Sequence, residues 1–154
     1  MRGVKDLVRV QNDQNLSIES IAQSDRTWRD TNDSSEMKQN MLKNVASLSF
    51  KERVEYNSGL YSEIFVTDKK GANVATYPLT SDYWQGDEDK FINSYLDGVG
   101  GIYIGPVEYD ESSKADAVQI SVPVMDKGKA IGVLVLGTQV SSIEAIRKAA
   151  QIKR

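Results

Sequence analysis

The sequence holds no cysteine and no histidine, only three prolines in 154 residues, and no long apolar run. Without cysteine, neither a disulfide framework nor a thiolate metal site can form. Without histidine, the commonest general base, the commonest metal ligand and the usual physiological pH switch are all missing. No stretch approaches the roughly 20 apolar residues that cross a bilayer. The most apolar run, 130–137, is short, is interrupted by Gly132, and suits a central strand. The N-terminal MRGVKDLVRVQNDQN lacks the continuous apolar core of a signal peptide, so the chain as it stands is expected to be soluble. A net charge of -3 argues against a phosphate-binding surface, which needs clustered Lys and Arg, and no nucleic-acid partner is expected.

Catalysis has little to work with. The remaining nucleophile options are Ser-Lys and carboxylate pairs, and Ser35-Glu36-Met37-Lys38 matches S-x-x-K spacing without the motifs that accompany it in enzymes. The chain is therefore read as a non-enzyme with no catalytic residues. Asp87-Glu88-Asp89 lacks the alternating ligands and glycine of a calcium loop and reads instead as the first turn of a helix, where acidic side chains complement the dipole. Asp97-Gly98-Val99-Gly100-Gly101 follows a helix and precedes a strand, the reverse of a dinucleotide fingerprint. No metal and no cofactor is expected.

What is present organises around Tyr61 to Phe91. Ile64, Phe65 and Val66 are β-formers, Asp68-Lys69-Lys70-Gly71 supplies the acceptor and the glycine of a reversing turn, and Val74 to Tyr77 resumes extended character. A polar loop with Tyr77, Tyr83 and Trp84 then runs into a short helix containing Phe91, Ile92 and Tyr95. Loops held on rigid strands are where recognition concentrates.

Ahead of this, Val4, Leu7 and Val8, then Ile18, Ile21 and Trp28, suggest one long helix with a weak middle around Gln11 and Gln14. It packs on its own domain, or part of its polar seam meets a second copy in a homodimer. Met37, Met41, Val45 and Leu48 predict a second helix, with Asp33 and Glu36 as a capping pair and a stop near Asn57-Ser58-Gly59. The methionine stripe reads as ordinary core.

Further on, Ile102 to Ile104 reads as a strand, and 108–116 as a polar connection. Val118, Ile120, Val122 and Val124 alternate with polar residues, Pro123 belongs near an edge, and Asp126-Lys127-Gly128-Lys129 turns the chain into the buried strand Ala130 to Thr138. Ser141-Ser142-Ile143-Glu144 has capping-box spacing and opens a last helix ending in Arg147, Lys148, Lys153 and Arg154. These elements predict an α+β domain: a five-stranded antiparallel sheet, helices gathered on one face and loops on the other.

Taken together, IFVTDKKGANVAT, TSDYWQGDE, IGPVEYDESS and ISVPVMDKGKAIGVLVLG, in this order, resemble a Cache domain, the extracytoplasmic relative of PAS sensor domains. The resemblance runs from about Tyr61 to Ile143. It implies a helical lead-in over 1–58, a PAS-like core over 59–143 and a C-terminal helix over 144–154, all one domain. It also implies the soluble sensor piece of a transmembrane receptor such as a sensor histidine kinase or chemoreceptor, outside the cytoplasmic membrane, with spans before residue 1 and after residue 154. Such domains hold a small molecule between the sheet and the loop after the second strand. By position, this points to Tyr77, Thr80, Trp84, Lys90, Phe91 and Tyr103 as pocket lining, with Asp110 matching an aspartate able to anchor an ammonium group. Amino-acid-binding members carry an arginine and then a tryptophan-tyrosine pair where this chain has Glu88 and Lys90-Phe91. Lys is a point charge without the planar fork that clamps a carboxylate. Two alternatives keep a similar sheet: a ligand-free dimerisation or interaction module whose own aromatics fill the pocket, and a cytoplasmic PAS-type domain.

Overall fold

The computed structural model describes residues 2–57, 59–111 and 113–152, so Ser58, Ser112, Lys153 and Arg154 of the segments named above lie outside the described residues. Four helices come first: α1 (Arg2–Asp13), α2 (Ile18–Asp30), α3 (Glu36–Lys43) and α4 (Val45–Tyr56). After them come β1 (Glu63–Asp68), β2 (Asn73–Tyr77), α5 (Asp89–Tyr95), β3 (Tyr103–Ile104), β4 (Glu108–Asp110), β5 (Ala115–Asp126), β6 (Lys129–Gln139) and α6 (Val140–Ile152).

The strands form one antiparallel sheet in the order β2-β1-β6-β5-β3, with β4 also on β5. It has six strands, one more than the sequence predicts. The extra one is β4, inside the predicted polar connection, where Glu108 pairs with Ala117 and Asp110 with Ala115. Backbone pairing alone makes this edge strand, so no apolar alternation announces it. The two hairpins form as expected, and β6 is central, with buried Val133 and Val135. Asp68 Oδ1 accepts from the N–H groups of Lys70 (2.8 Å) and Ala72 (3.1 Å), while Gly71 takes φ 85°, as the reversing turn requires. Pro123 pairs with Val133 across β6 but lies beyond β3 on its other side, where no N–H is needed.

Both long helices of the sequence reading are broken. Asn15 takes a left-handed φ of 47°, and Ser17 restarts the chain as the N-cap of α2, accepting from Ser20 N–H. Asn44 does the same for α4, accepting from Ser47 N–H at 2.9 Å. A cap residue competes with the helix ladder for the same N–H groups, so a polar residue within an apolar repeat can end one helix and begin another. Val45 and Leu48 consequently turn outward and are exposed, while Met37 and Met41 pack in the core. The cap of α3 is Ser35 rather than Asp33, whose carboxylate lies 3.5 Å from Lys38 Nζ. At the far end α6 follows β6 directly from Val140, so Ser141 and Ser142 sit in its first turn.

The sheet is covered on both faces. Val4 and Val8 of α1 and Ala46 and Phe50 of α4 pack on Ile64, Val66, Val74 and Ala75. On the opposite face the short α5 lays Phe91 over Phe65, Val133 and Val135, with Tyr95 stacked on Phe91 at 5.2 Å. Not all helices are therefore on one face: α5 shares the loop side. Fully burying each of the Val, Ile and Phe side chains among these contributes roughly 1.5–3 kcal/mol relative to leaving it exposed. Polar contacts set the position of α1. Arg9 donates to both oxygens of Asp126 (2.9 and 2.8 Å), and Gln11, one of the two residues of the expected polar seam, donates to Asp68 (2.8 Å).

No helix among the described residues is long and apolar enough to cross a membrane.

Candidate ligand cavity at the open end of the sheet

Glu63 on β1, Gly137 on β6 and Gln119 on β5 stand in one row across the sheet, Gly137 being the register partner of both others. A Cβ on Gly137 would sit 2.6 Å from Glu63 Cγ and 2.6 Å from Ser62 Oγ. The bare backbone there leaves a trough, and Gln119 Nε2 reaches over it to donate to Glu63 Oε1 at 2.7 Å. Gly105 extends the floor by donating its N–H to Gln119 O at 2.9 Å. Tyr103, Pro106, Glu108, Tyr109 and Asp110 make one wall, and the lead into α5, Asp87 to Lys90, makes the other. Together they line a cavity of about 670 Å³, within the size range of small-molecule sites.

The lining is strongly polar and one-sided in charge. Among the described residues the lining holds the acids Glu63, Asp87, Glu88, Asp89, Glu108 and Asp110 and one cation, Lys90. Lys90 Nζ pairs with Glu88 at 2.8 Å and lies 5.4 Å from the centre of the Phe65 ring. Asp110 Oδ2 accepts from the Ser113 hydroxyl at 2.7 Å.

Of the residues the sequence nominated, Lys90, Tyr103 and Asp110 meet in this cavity. Phe91 points the other way, into the core beneath α5, and borders a separate groove of about 310 Å³ with Tyr95 and Leu96. Tyr77, Thr80 and Trp84 do not line the cavity either. Tyr77 donates its phenol to Glu55 on α4 (2.7 Å); that hydrogen bond, with burial, raises its pKa. Thr80 Oγ1 accepts from Asn73 (2.7 Å), and its carbonyl accepts from Trp28 Nε1 (2.9 Å). Trp84 Nε1 donates to Lys70 O at 2.8 Å, and Asp25 accepts from the backbone N–H groups of Tyr83 and Trp84, both at 3.0 Å. The aromatic loop is thus a packing element held on α2, and it does not form a flap over the cavity. Its buried Tyr83 has a pKa pushed up to about 12, first by burial and then by the charge of Asp68.

Lys38 of the S-x-x-K match donates to Thr31 O (2.7 Å) and sits 5.5 Å from the Trp28 ring centre, while Ser35 Oγ accepts from Thr31 instead (3.4 Å). The cavity residues that sequence reasoning missed are chiefly Glu63, Gln119 and Gly137. Gly137 did carry a signal, since a glycine inside a buried strand marks close approach or open space beside it.

No protein-family model matches this chain, and no curated protein matches it significantly. Solved structures do match. The extracellular domain of the candidate histidine kinase rpHK1S-Z16 superposes with a TM-score of 0.51 at 15% identity, covering 68% of this chain and 44% of that one. The ligand-binding domain of the Pseudomonas aeruginosa PAO1 amino acid chemoreceptor PctC, in complex with GABA, gives 0.46 at 11% identity over 94% and 61% of the two chains. The sensory domain of the Campylobacter jejuni chemoreceptor Tlp3 gives 0.45 at 19% identity over 88% and 58%. The chain spans between 44% and 61% of the length of these three. With the sheet order, the flanking helices and the rpHK1S-Z16 superposition in agreement, this chain shares the α+β fold of that extracellular domain, the fold that the Cache resemblance implied.

Proposed function

We propose that this chain is the extracytoplasmic ligand-sensing domain of a transmembrane signalling receptor, of the sensor histidine kinase or chemoreceptor kind. It binds a small molecule in the cavity around Glu63, Gln119 and Gly137 and passes a shift to its terminal helices. The observation that carries this reading is the bonding between the cavity wall and the start of α6. Ser62 N–H donates to Gly137 O at 2.9 Å, Thr138 Oγ1 donates to Leu60 O, and Ser142 Oγ donates to Gly59 O. The segment leading into the cavity wall is thus hydrogen-bonded to the end of β6 and the first turn of the last helix, which gives a shift at one a route to the other. A ligand that prefers one arrangement of that segment tenfold supplies about 1.4 kcal/mol toward it.

A thermal-shift screen of small carboxylates, amines, sugars and nucleobases tests the reading, followed by hydrogen exchange on any hit. The expected result is a raised melting temperature with altered protection at 138–145. A screen that leaves stability unchanged throughout sinks it.

A second reading, a dimerisation module joined through its N-terminal helices, draws on Val10 and Ile18, apolar yet 57% and 59% exposed. Sedimentation equilibrium separates the two: this reading requires a dimer that Val10→Lys dissociates, whereas sensing requires only a ligand response.

A further inference from the structure

We infer that the cavity takes a small organic cation without a carboxylate, of the diamine or polyamine class; this rests on the ligand-sensing reading above and narrows it.

The cavity itself, a volume of about 670 Å³ opened by Gly137 and Gly105, defines the site. Its lining defines the class of occupant. Six carboxylates against one lysine leave a formal charge of minus five around that space. The lysine is also engaged, held by Glu88 at 2.8 Å and by the Phe65 ring. Among the described residues Asp87, Asp89 and Glu108 make no salt bridge. Among the described residues no arginine lines the space, so none of them offers a planar fork to an anion there. An anionic or zwitterionic guest would lower its carboxylate into this field, which disfavours it, whereas each ammonium lowers the repulsion among the acids.

Two further features separate an organic cation from a metal ion. Tyr103 borders the same space, and aromatic faces attract ammonium groups. No three acidic side chains among the described residues converge as a metal site. The carboxylates are spread from β1 and β4 to the lead into α5, a spacing that suits two or more ammonium groups on a flexible chain better than one point charge.

Calorimetric titration at fixed ionic strength tests this with putrescine and spermidine, alongside succinate, glucose and magnesium chloride. The variants are Glu63→Gln, which keeps an acceptor for Gln119, Asp110→Asn, which keeps one for Ser113, and the exposed control Glu52→Gln, with circular dichroism to confirm folding. The expected result is one-to-one binding of a diamine, weakened about tenfold or more by Glu63→Gln or Asp110→Asn and unchanged by Glu52→Gln. If succinate or glucose binds and the cavity variants weaken it, ligand sensing stands and the cation class is overturned. If magnesium chloride reproduces the effect, or the cavity variants leave diamine binding intact, the response is charge screening and the proposal fails. If none of the compounds binds, the cation class is overturned, while the sensing reading is decided by the broader thermal-shift screen.

Discussion

Gln119 and Glu63 are joined by a 2.7 Å hydrogen bond although a whole strand lies between them, because Gly137 on that strand has no side chain to block the way. The bond ties β5 to β1 across the floor of the cavity and holds the Glu63 carboxylate toward the open space. The bare backbone at Gly137 thus leaves room for the bond that orients an acid on the cavity floor.

Gly137→Ala is the direct test of that relationship. The new Cβ would meet Glu63 Cγ and Ser62 Oγ, each at 2.6 Å, so those two side chains must shift and the Gln119–Glu63 bond with them. Overpacking of this kind costs about 1–3 kcal/mol. For a chain of this size each kcal/mol lowers the melting temperature by about 2–4 °C. Calorimetry should show that loss, and any cavity ligand should bind more weakly. An unchanged melting temperature would mean that the floor is softer than described.

The aromatic loop depends on Asp25. Its Oδ1 accepts from two successive backbone N–H groups, of Tyr83 and Trp84, and its other oxygen lies 3.2 Å from Arg29. Asp25→Ala leaves those donors without their acceptor, at a cost of about 1.5–3 kcal/mol for hydrogen bonds to a charged group. Trp84 fluorescence should shift as its environment loosens, while binding in the cavity, which the loop does not line, should persist.

Tyr83 predicts an alkaline limb to stability. Its folded pKa is raised to about 12 by burial and by Asp68, against about 10 in an unfolded chain. The unfolded state therefore releases its proton first, so stability is intact below about pH 10 and falls as pH rises toward 12. Tyr83→Phe should flatten that limb in pH-dependent denaturation. An identical limb in the variant would assign the effect to other groups.

Asp126 predicts the opposite limb. The Arg9 guanidinium, with help from Lys5, holds its carboxyl well below the usual range. The stabilisation is present above the unfolded carboxylate pKa of about 3.9 and is lost as pH falls through the lower folded value. Asp126→Asn should remove that part of the acid dependence while leaving the β5–β6 hairpin in place. An unchanged acid limb would show that the pair contributes nothing, a common outcome for exposed ion pairs.

The hairpins were legible because their signals are local. Val118, Ile120, Val122 and Val124 alternate at period two, and Asp126 to Lys129 carries its own turn chemistry, so no distant residue was needed to place β5 against β6. The helix breaks at Asn15 and Asn44 were less legible, since a cap and a mid-helix polar residue look alike until the backbone shows which N–H groups each satisfies. The contacts of the aromatic loop were hidden for a related reason. An aromatic residue announces that it will bury against something without naming the partner, and the N–H groups of Tyr83 and Trp84 found Asp25, 58 and 59 residues away.

Composition and periodicity by themselves determined the fold class, both hairpins, the burial of β6 and the absence of cysteine and histidine chemistry, because each depends on residue type or on neighbours a few positions apart. Where the cavity lies, and that it is acidic, was decided only when the sheet brought Glu63, Gln119 and Gly137 into one row and Asp110 and Lys90 to line the same space. A site is an arrangement of side chains far apart along the chain, and only the register of the strands and the seat of α5 place them within reach of one another.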